Sequence, residues 1–107
     1  MKSFTERERG LEAEFKRNQE QKFRVTARRN RLFGLWAASQ LDLPAGEEAE
    51  AYAKLVVAAD FEAPGDDDAI NKVRTDLGEE GIAFTEAELR TELERAAAEA
   101  RRQIAQS

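Results

Sequence analysis

The sequence has no cysteine and no histidine among its 107 residues. The chain can therefore form no disulfide and no metal site ligated by cysteine or histidine. The commonest general acid–base side chain and the commonest strong nucleophile are also missing. Any catalysis would have to rest on carboxylates, lysines or the single tyrosine, Tyr52. We therefore predict that the chain is not an enzyme and that it holds no metal and no cofactor.

Long apolar runs are missing as well. No stretch approaches the roughly 18 consecutive apolar residues that a membrane-spanning helix needs. The N-terminus is charged from Lys2 onward and lacks the apolar centre of a signal peptide. We expect a cytoplasmic protein that does not insert into a membrane.

Charge, by contrast, is abundant and unevenly distributed. Charged residues make up 36% of the chain. Residues 1–31 hold ten lysines and arginines against five glutamates, whereas residues 32–107 hold seven against seventeen acids. The first segment has a net charge of +5 and the second of −10. This asymmetry is typical of a basic interaction arm on an acidic body, although a charged helix face in solvent would give the same pattern.

The apolar spacing predicts four helices and no strand. The first helix is expected from about Phe4 to Leu41, after a capping box at residues 3–6. Glu47 begins the second helix, which is expected to end near Ala63. The third is expected to begin at residue 66 or 67 and to stop at Gly78, and a second capping box at residues 85–88 begins the fourth. We predict an all-α fold: a small four-helix bundle with a mobile or extended N-terminal helical arm.

Apolar positions at helical spacing identify the expected core of this bundle. They are Leu32, Trp36, Tyr52, Val56, Ile70, Val73, Leu77, Leu89 and Leu93.

The first helix cannot lie entirely within the bundle. Its N-terminal part has three large apolar residues, Phe4, Leu11 and Phe15, whereas residues 23–43 have eight. A helix of this length would extend about 57 Å, against a globule roughly 30 Å across. We therefore divide the chain into a basic arm, residues 1–20, and an acidic four-helix bundle, residues 21–107. The three apolar residues share one stripe, so the arm is expected to be helical when it docks.

Three kinds of partner or binding site are compatible with this sequence. The first is a protein groove that accepts an amphipathic helix. The second is nucleic acid, through Arg24, Arg28, Arg29 and Arg31, but the acidic body opposes phosphate binding. The third is a carboxylate or metal site at residues 66–68, which lacks the ligand spacing of a calcium loop and coincides with an expected helix cap. We predict a protein partner and no nucleic acid.

Three stretches resemble a known family. They are ARRNRLFGLWAA at residues 27–38, AYAKLVV at residues 51–57, and the opening FTERE at residues 4–8, which Glu14 and Phe15 follow. Together they are similar to the zeta subunit of alphaproteobacterial F-type ATP synthases.

The resemblance implies a four-helix inhibitor of ATP hydrolysis. In that family the N-terminal arm inserts between the catalytic alpha and beta subunits, against the rotating gamma subunit, and the bundle rests outside on the catalytic head. Applied to this chain, the resemblance assigns partner binding to Lys2, Phe4, Arg7, Glu8, Leu11 and Phe15. It places the protein in the cytoplasm, associated with the membrane-bound synthase through its head. The alternative is a non-inhibitory helical module that binds a protein or senses a nucleotide through weak binding.

Overall fold

The computed structural model describes residues 4–60 and 67–106, and side chains within residues 17–60 and 68–106. The helices are α1 (Phe4–Gln40), α2 (Glu47–Ala59), α3 (Asp67–Glu79) and α4 (Glu86–Gln106). No strand occurs in the described ranges, and the prediction of an all-α four-helix fold is confirmed. No helix in these ranges is both long enough and apolar enough to cross a membrane.

The C-terminus of α1 is closed by a residue in the left-handed conformation. Asp42 has φ 59°. The amide of Leu43 donates to the carbonyl of Ala38 at 3.0 Å, and the Asp42 amide donates to the carbonyl of Ser39 at 3.2 Å. This pair of bonds is a Schellman motif, which satisfies carbonyls left open at the helix end. The chain therefore turns out of α1 before Pro44 is reached.

The same motif closes α3, and it corrects the predicted end of that helix. Gly78 was expected to stop α3, but it lies inside the helix, which continues to Glu79. Gly81, with φ 73°, is the left-handed residue. The amide of Ile82 donates to the carbonyl of Leu77 at 2.9 Å. Gly81 thus supplies the backbone conformation that ends the helix. The second helix also ends earlier than predicted, at Ala59 rather than near Ala63.

The predicted capping box at the start of α4 is confirmed. The Glu88 amide donates to Thr85 Oγ1 at 3.1 Å, and the Thr85 amide donates to Glu88 Oε1 at 3.0 Å. The hydrogen bond from the Thr85 backbone N–H lowers the pKa of Glu88, since it favours the ionised carboxylate. The first capping box, at residues 3–6, depends on side chains that lie outside the described ones.

The core lies between α1 and the other three helices. α1 packs mainly against α2 and α4, and α3 contacts all three. Two of the expected core residues, Leu32 and Trp36, are only partly buried at its edge. The others are buried: Tyr52, Val56, Ile70, Val73, Leu77, Leu89 and Leu93. Trp36 stacks on Phe33 with ring centroids 5.8 Å apart and meets Phe84 edge-on at 5.2 Å.

Small residues bring α1 and α2 close together. A Cβ atom added to Gly34 would lie 2.7 Å from the Ala53 Cα and 3.2 Å from the Val56 Cβ. Because the nearest of these atoms belongs to the α2 backbone, the two helices could not pack this closely with any other residue at position 34. This contact fixes how the second half of α1 lies against the bundle.

Candidate partner-binding surface

The described part of α1 changes character along its length. Every residue from 17 to 24 is exposed, Val25 is the first to be half-buried, and Asn30 is the first to be buried. The bundle therefore begins to cover α1 near Val25, although the helix continues without interruption. The predicted boundary between arm and bundle, at residues 20 and 21, lies inside the exposed stretch and stays a prediction.

The side chains predicted to enter the partner fall outside the described residues. They are Lys2, Phe4, Arg7, Glu8, Leu11 and Phe15.

The cations of the exposed stretch and of the neighbouring turns have few acidic partners in the bundle. Arg24 forms no ion pair with a described residue. Arg28 Nη1 donates to a neutral acceptor, Gln103 Oε1, at 3.2 Å. Arg31 is bound to a carboxylate, because its Nε donates to Glu50 Oε2 at 3.1 Å and its Nη2 to the other oxygen, and Arg29 is paired with Asp60. Much of the positive charge therefore remains available to a partner.

A buried polar cluster lies where α1 enters the bundle. Asn30 is 1% exposed. Its Nδ2 donates to Asp60 Oδ2 at 2.9 Å, and its Oδ1 accepts from Arg29 Nε at 3.0 Å. Arg29 Nη2 also lies 3.8 Å from the same Asp60 oxygen. These contacts tie α1 to the end of α2 and fix the direction in which the exposed stretch leaves the bundle.

Sequence reasoning had not assigned a role to Asn30. The signal was present in the spacing, because Asn30, Phe33 and Ala37 follow each other at i, i+3 and i+7 on one helix face. A polar residue on an apolar face needs a buried partner. Asp60, thirty positions away in the sequence, could not be identified as that partner without the fold.

Tyr52, the one tyrosine, is part of a link between α2 and α3. Its hydroxyl donates to Asp76 Oδ2 at 2.7 Å, and Lys72 Nζ approaches the same oxygen at 2.9 Å. Lys72 also lies 5.7 Å from the centre of the Tyr52 ring. Burial and then the hydrogen bond to Asp76 raise the pKa of Tyr52 far above its ordinary value. The phenol therefore stays protonated near neutral pH, which suits a structural hydrogen bond rather than a general base.

Two large apolar side chains of the described residues are exposed. Phe23 is 55% exposed on α1, and Leu55 is 56% exposed on α2. Phe23 is one of the eight large apolar residues of segment 23–43, which the sequence places in the bundle. It instead lines a shallow groove beside the arginines of α1, together with Val57 of α2.

The acidic run at the start of α3 is only partly visible. Asp66 lies outside the described residues, and Asp67 is the first residue of the helix. Within the described ranges, no three acidic side chains come together as a metal site would require.

The fold and this surface define a small helical module in which one long helix carries an exposed basic segment away from an acidic body, as in proteins that dock a helix on a partner. The chain belongs to the family of the ATPase inhibitor subunit zeta, whose family model matches residues 1–103. No curated protein matches the chain. Membership in a family of inhibitor subunits implies a regulatory protein with an inhibitory role at ATP synthase.

Proposed function

We propose that this protein binds the catalytic head of an F-type ATP synthase and inhibits ATP hydrolysis with its N-terminal arm. The arm inserts at an interface of the alpha, beta and gamma subunits, and the bundle rests on the outside of the head. The protein thus works in the cytoplasm, attached to the membrane-bound synthase through that head.

One observation carries the proposal: the family match begins at residue 1 and so includes the arm as well as the bundle. The geometry of α1 supports it. Residues 17–24 are all exposed, so this segment of α1 leads towards the arm without being buried by α2 or α4. Such a segment can reach a site that the bundle itself cannot enter.

The arm alone binds too weakly to account for inhibition. Burial of Phe4, Leu11 and Phe15 gives roughly 5–9 kcal/mol before the costs of association and ordering. A second contact made by the bundle would hold the arm at a high effective concentration near its site. The arm then acts as a wedge that blocks rotation of gamma in the direction of hydrolysis.

The decisive experiment compares the full chain with a variant that lacks residues 1–17. Each is added to the purified cognate catalytic head, and ATP hydrolysis and binding are measured in parallel. The full chain is expected to lower hydrolysis, whereas the shortened chain is expected to bind more weakly and to leave hydrolysis unchanged. Because the bundle begins to cover the described part of α1 only near Val25, circular dichroism should show an intact thermal transition.

A full-length variant tests whether inhibition requires the apolar side chains of the arm rather than only its length. Phe4→Ala, Leu11→Ala and Phe15→Ala combined should also abolish inhibition, while Leu55→Ala, an exposed apolar change on α2, should preserve it. If neither the full nor the shortened chain affects hydrolysis although both bind the head, the protein is a non-inhibitory binding module. If the shortened chain inhibits as well as the full chain, the arm is not the inhibitory element.

A further inference from the structure

A groove on the bundle side of the exposed stretch combines an apolar floor with a cationic rim. It has a volume of about 360 Å³, enough for one or two side chains of a partner. We call it the Phe23 patch. Its residues on α1 and α2 are Phe23, Arg24, Ala27, Arg28, Arg31 and Val57, and Ile104 of α4 completes its lining.

The composition of the patch is that of a protein-binding surface. Phe23 is more than half exposed, and Ala27, one turn further along α1, leaves room beside its ring. Phenylalanine and arginine are both enriched at protein interfaces, and arginine is among the residues that most often contribute strongly to binding. Leu55 is equally exposed, but no arginine lines the groove beside it.

The charge of the patch indicates an acidic occupant. Arg24, Arg28 and Arg31 follow each other at i, i+4 and i+7 and so share one face of α1. Like charges at this spacing destabilise an isolated helix. The bundle relieves only part of this repulsion, since Arg28 contacts a neutral amide and Arg24 forms no ion pair with a described residue of the other helices. Carboxylates of a partner would relieve the rest.

The position of the patch links it to the arm. Phe23 is eight residues beyond Phe15, which is about 12 Å along a helix. A partner surface that receives the arm would therefore come close to the patch in the same complex. Contact at both places would raise the effective concentration of the arm.

We propose that the Phe23 patch is the second contact with the catalytic head. It binds an acidic surface of the head that offers one apolar side chain to the groove. This inference rests on the proposed function, and it places the anchoring contact on the face of α1 that lies beside α2 and α4, separate from residues 1–17.

The test uses the full chain with substitutions in the patch. Phe23→Ala removes the apolar contact, and Arg24→Glu combined with Arg28→Glu reverses the charge of the rim. Matched controls are Leu55→Ala for the apolar change and Arg74→Glu with Arg95→Glu for the charge reversal, since both arginines are exposed on other helices. Association and dissociation rate constants for the catalytic head are measured at low and high ionic strength, and ATP hydrolysis is measured in parallel.

The two patch variants should act on different rate constants. Reversal of the rim's charge should lower the association rate constant about tenfold or more at low salt. The fold-change should be smaller at high salt, because salt screens charge. Phe23→Ala should raise the dissociation rate constant about tenfold, as expected when a buried aromatic anchor is lost. The control variants should stay within about twofold of the wild type, since neither touches the proposed contact.

The outcomes separate the patch from the inhibitory function. If the wild type inhibits hydrolysis and the patch variants bind as tightly as it does, the patch proposal is overturned and inhibition stands. If binding depends on the patch but hydrolysis is unchanged, the patch stands and inhibition is wrong. A wild type that does not bind the head overturns both. Patch-dependent self-association, or patch-dependent binding of a DNA duplex without binding of the head, would assign the patch to another occupant and overturn the proposal.

Discussion

Residues 17–24 and residues 30–38 of α1 belong to one uninterrupted helix, yet the bundle covers them to very different extents. Residues 17–24 are all exposed, whereas residues 30–38 include Asn30, Phe33, Ala37 and Ala38, each at most 1% exposed. The backbone geometry is the same in both parts. What differs is how far α2 and α4 cover each part: they bury the second part but only border the first along open grooves.

This difference shows how a single helix can serve two purposes. The covered part obtains its stability from tertiary packing, which is where most helical stability in proteins originates. The exposed part receives much less of this packing, so a partner can bind it without unfolding the bundle. Substitutions of the same residue type in the two parts can test this division directly.

The largest contrast is expected between two phenylalanines of α1. Phe33→Ala should destabilise the protein by about 3–5 kcal/mol, because a fully buried ring is replaced by a cavity between α1 and the core. Phe23→Ala should cost about 1 kcal/mol or less, because its ring is more than half exposed. Urea denaturation followed by circular dichroism measures both changes in the free energy of unfolding.

Phe33→Leu provides a milder variant in case Phe33→Ala does not fold. Equal destabilisation by the two alanine substitutions would mean that the bundle also covers residues near 23. The division of α1 near Val25 would then be wrong.

The two asparagines of α1 give the next contrast. Asn30→Ala should cost about 2 kcal/mol, because it leaves the partly buried Asp60 carboxylate without the amide that donates to it. Asn18→Ala, in the exposed part, should change stability by less than about 0.5 kcal/mol. Thermal unfolding at neutral pH compares the two.

A double-mutant cycle with Asp60→Ala isolates the interaction between Asn30 and Asp60. The second substitution should cost much less in the Asn30→Ala background than in the wild type, because the two groups are coupled. Fully additive effects would show that the hydrogen bond does not hold α1 to α2.

The helix pattern and the composition made the four-helix fold and most of its buried residues predictable from the sequence. Seven of the nine expected core positions are buried, and the capping box at Thr85 has the expected bonds. Leu32 and Trp36 were expected in the core because residues at helical spacing share a face of the helix. They lie at the edge of the core, since the spacing does not say how far a neighbouring helix extends over that face.

Features that depend on two distant segments were not predictable in the same way. The bond between Asn30 and Asp60, the approach of Gly34 to Ala53, and the exposure of Phe23 all depend on where α2 lies beside α1. Helix ends were missed for a local reason. Gly78 and Gly81 are both plausible stops, and only backbone hydrogen bonding selects Gly81.

Two glycines in helices test the close approach of α1 and α2. Gly34→Ala should destabilise the protein by about 1–2 kcal/mol, because the clash with the α2 backbone outweighs the roughly 1 kcal/mol gain in helix propensity. Gly78→Ala, where an added Cβ meets no atom within 4 Å, should stabilise it by about 0.5–1 kcal/mol. Opposite shifts of the melting temperature are therefore expected. Stabilisation by both substitutions would contradict the tight packing at Gly34.

The smallest expected effect concerns the end of the covered part of α1. Asp42→Gly should stabilise the protein by about 0.5–1 kcal/mol, because glycine adopts the left-handed conformation without the Cβ strain that aspartate has at φ 59°, although it also raises the entropy of the unfolded chain. Gln19→Gly, in the exposed part, should lower the helical signal while leaving the midpoint of the bundle's transition unchanged. The two substitutions together show whether cooperative unfolding includes only the covered part of α1. A lower midpoint for Gln19→Gly would mean that the exposed part unfolds together with the bundle.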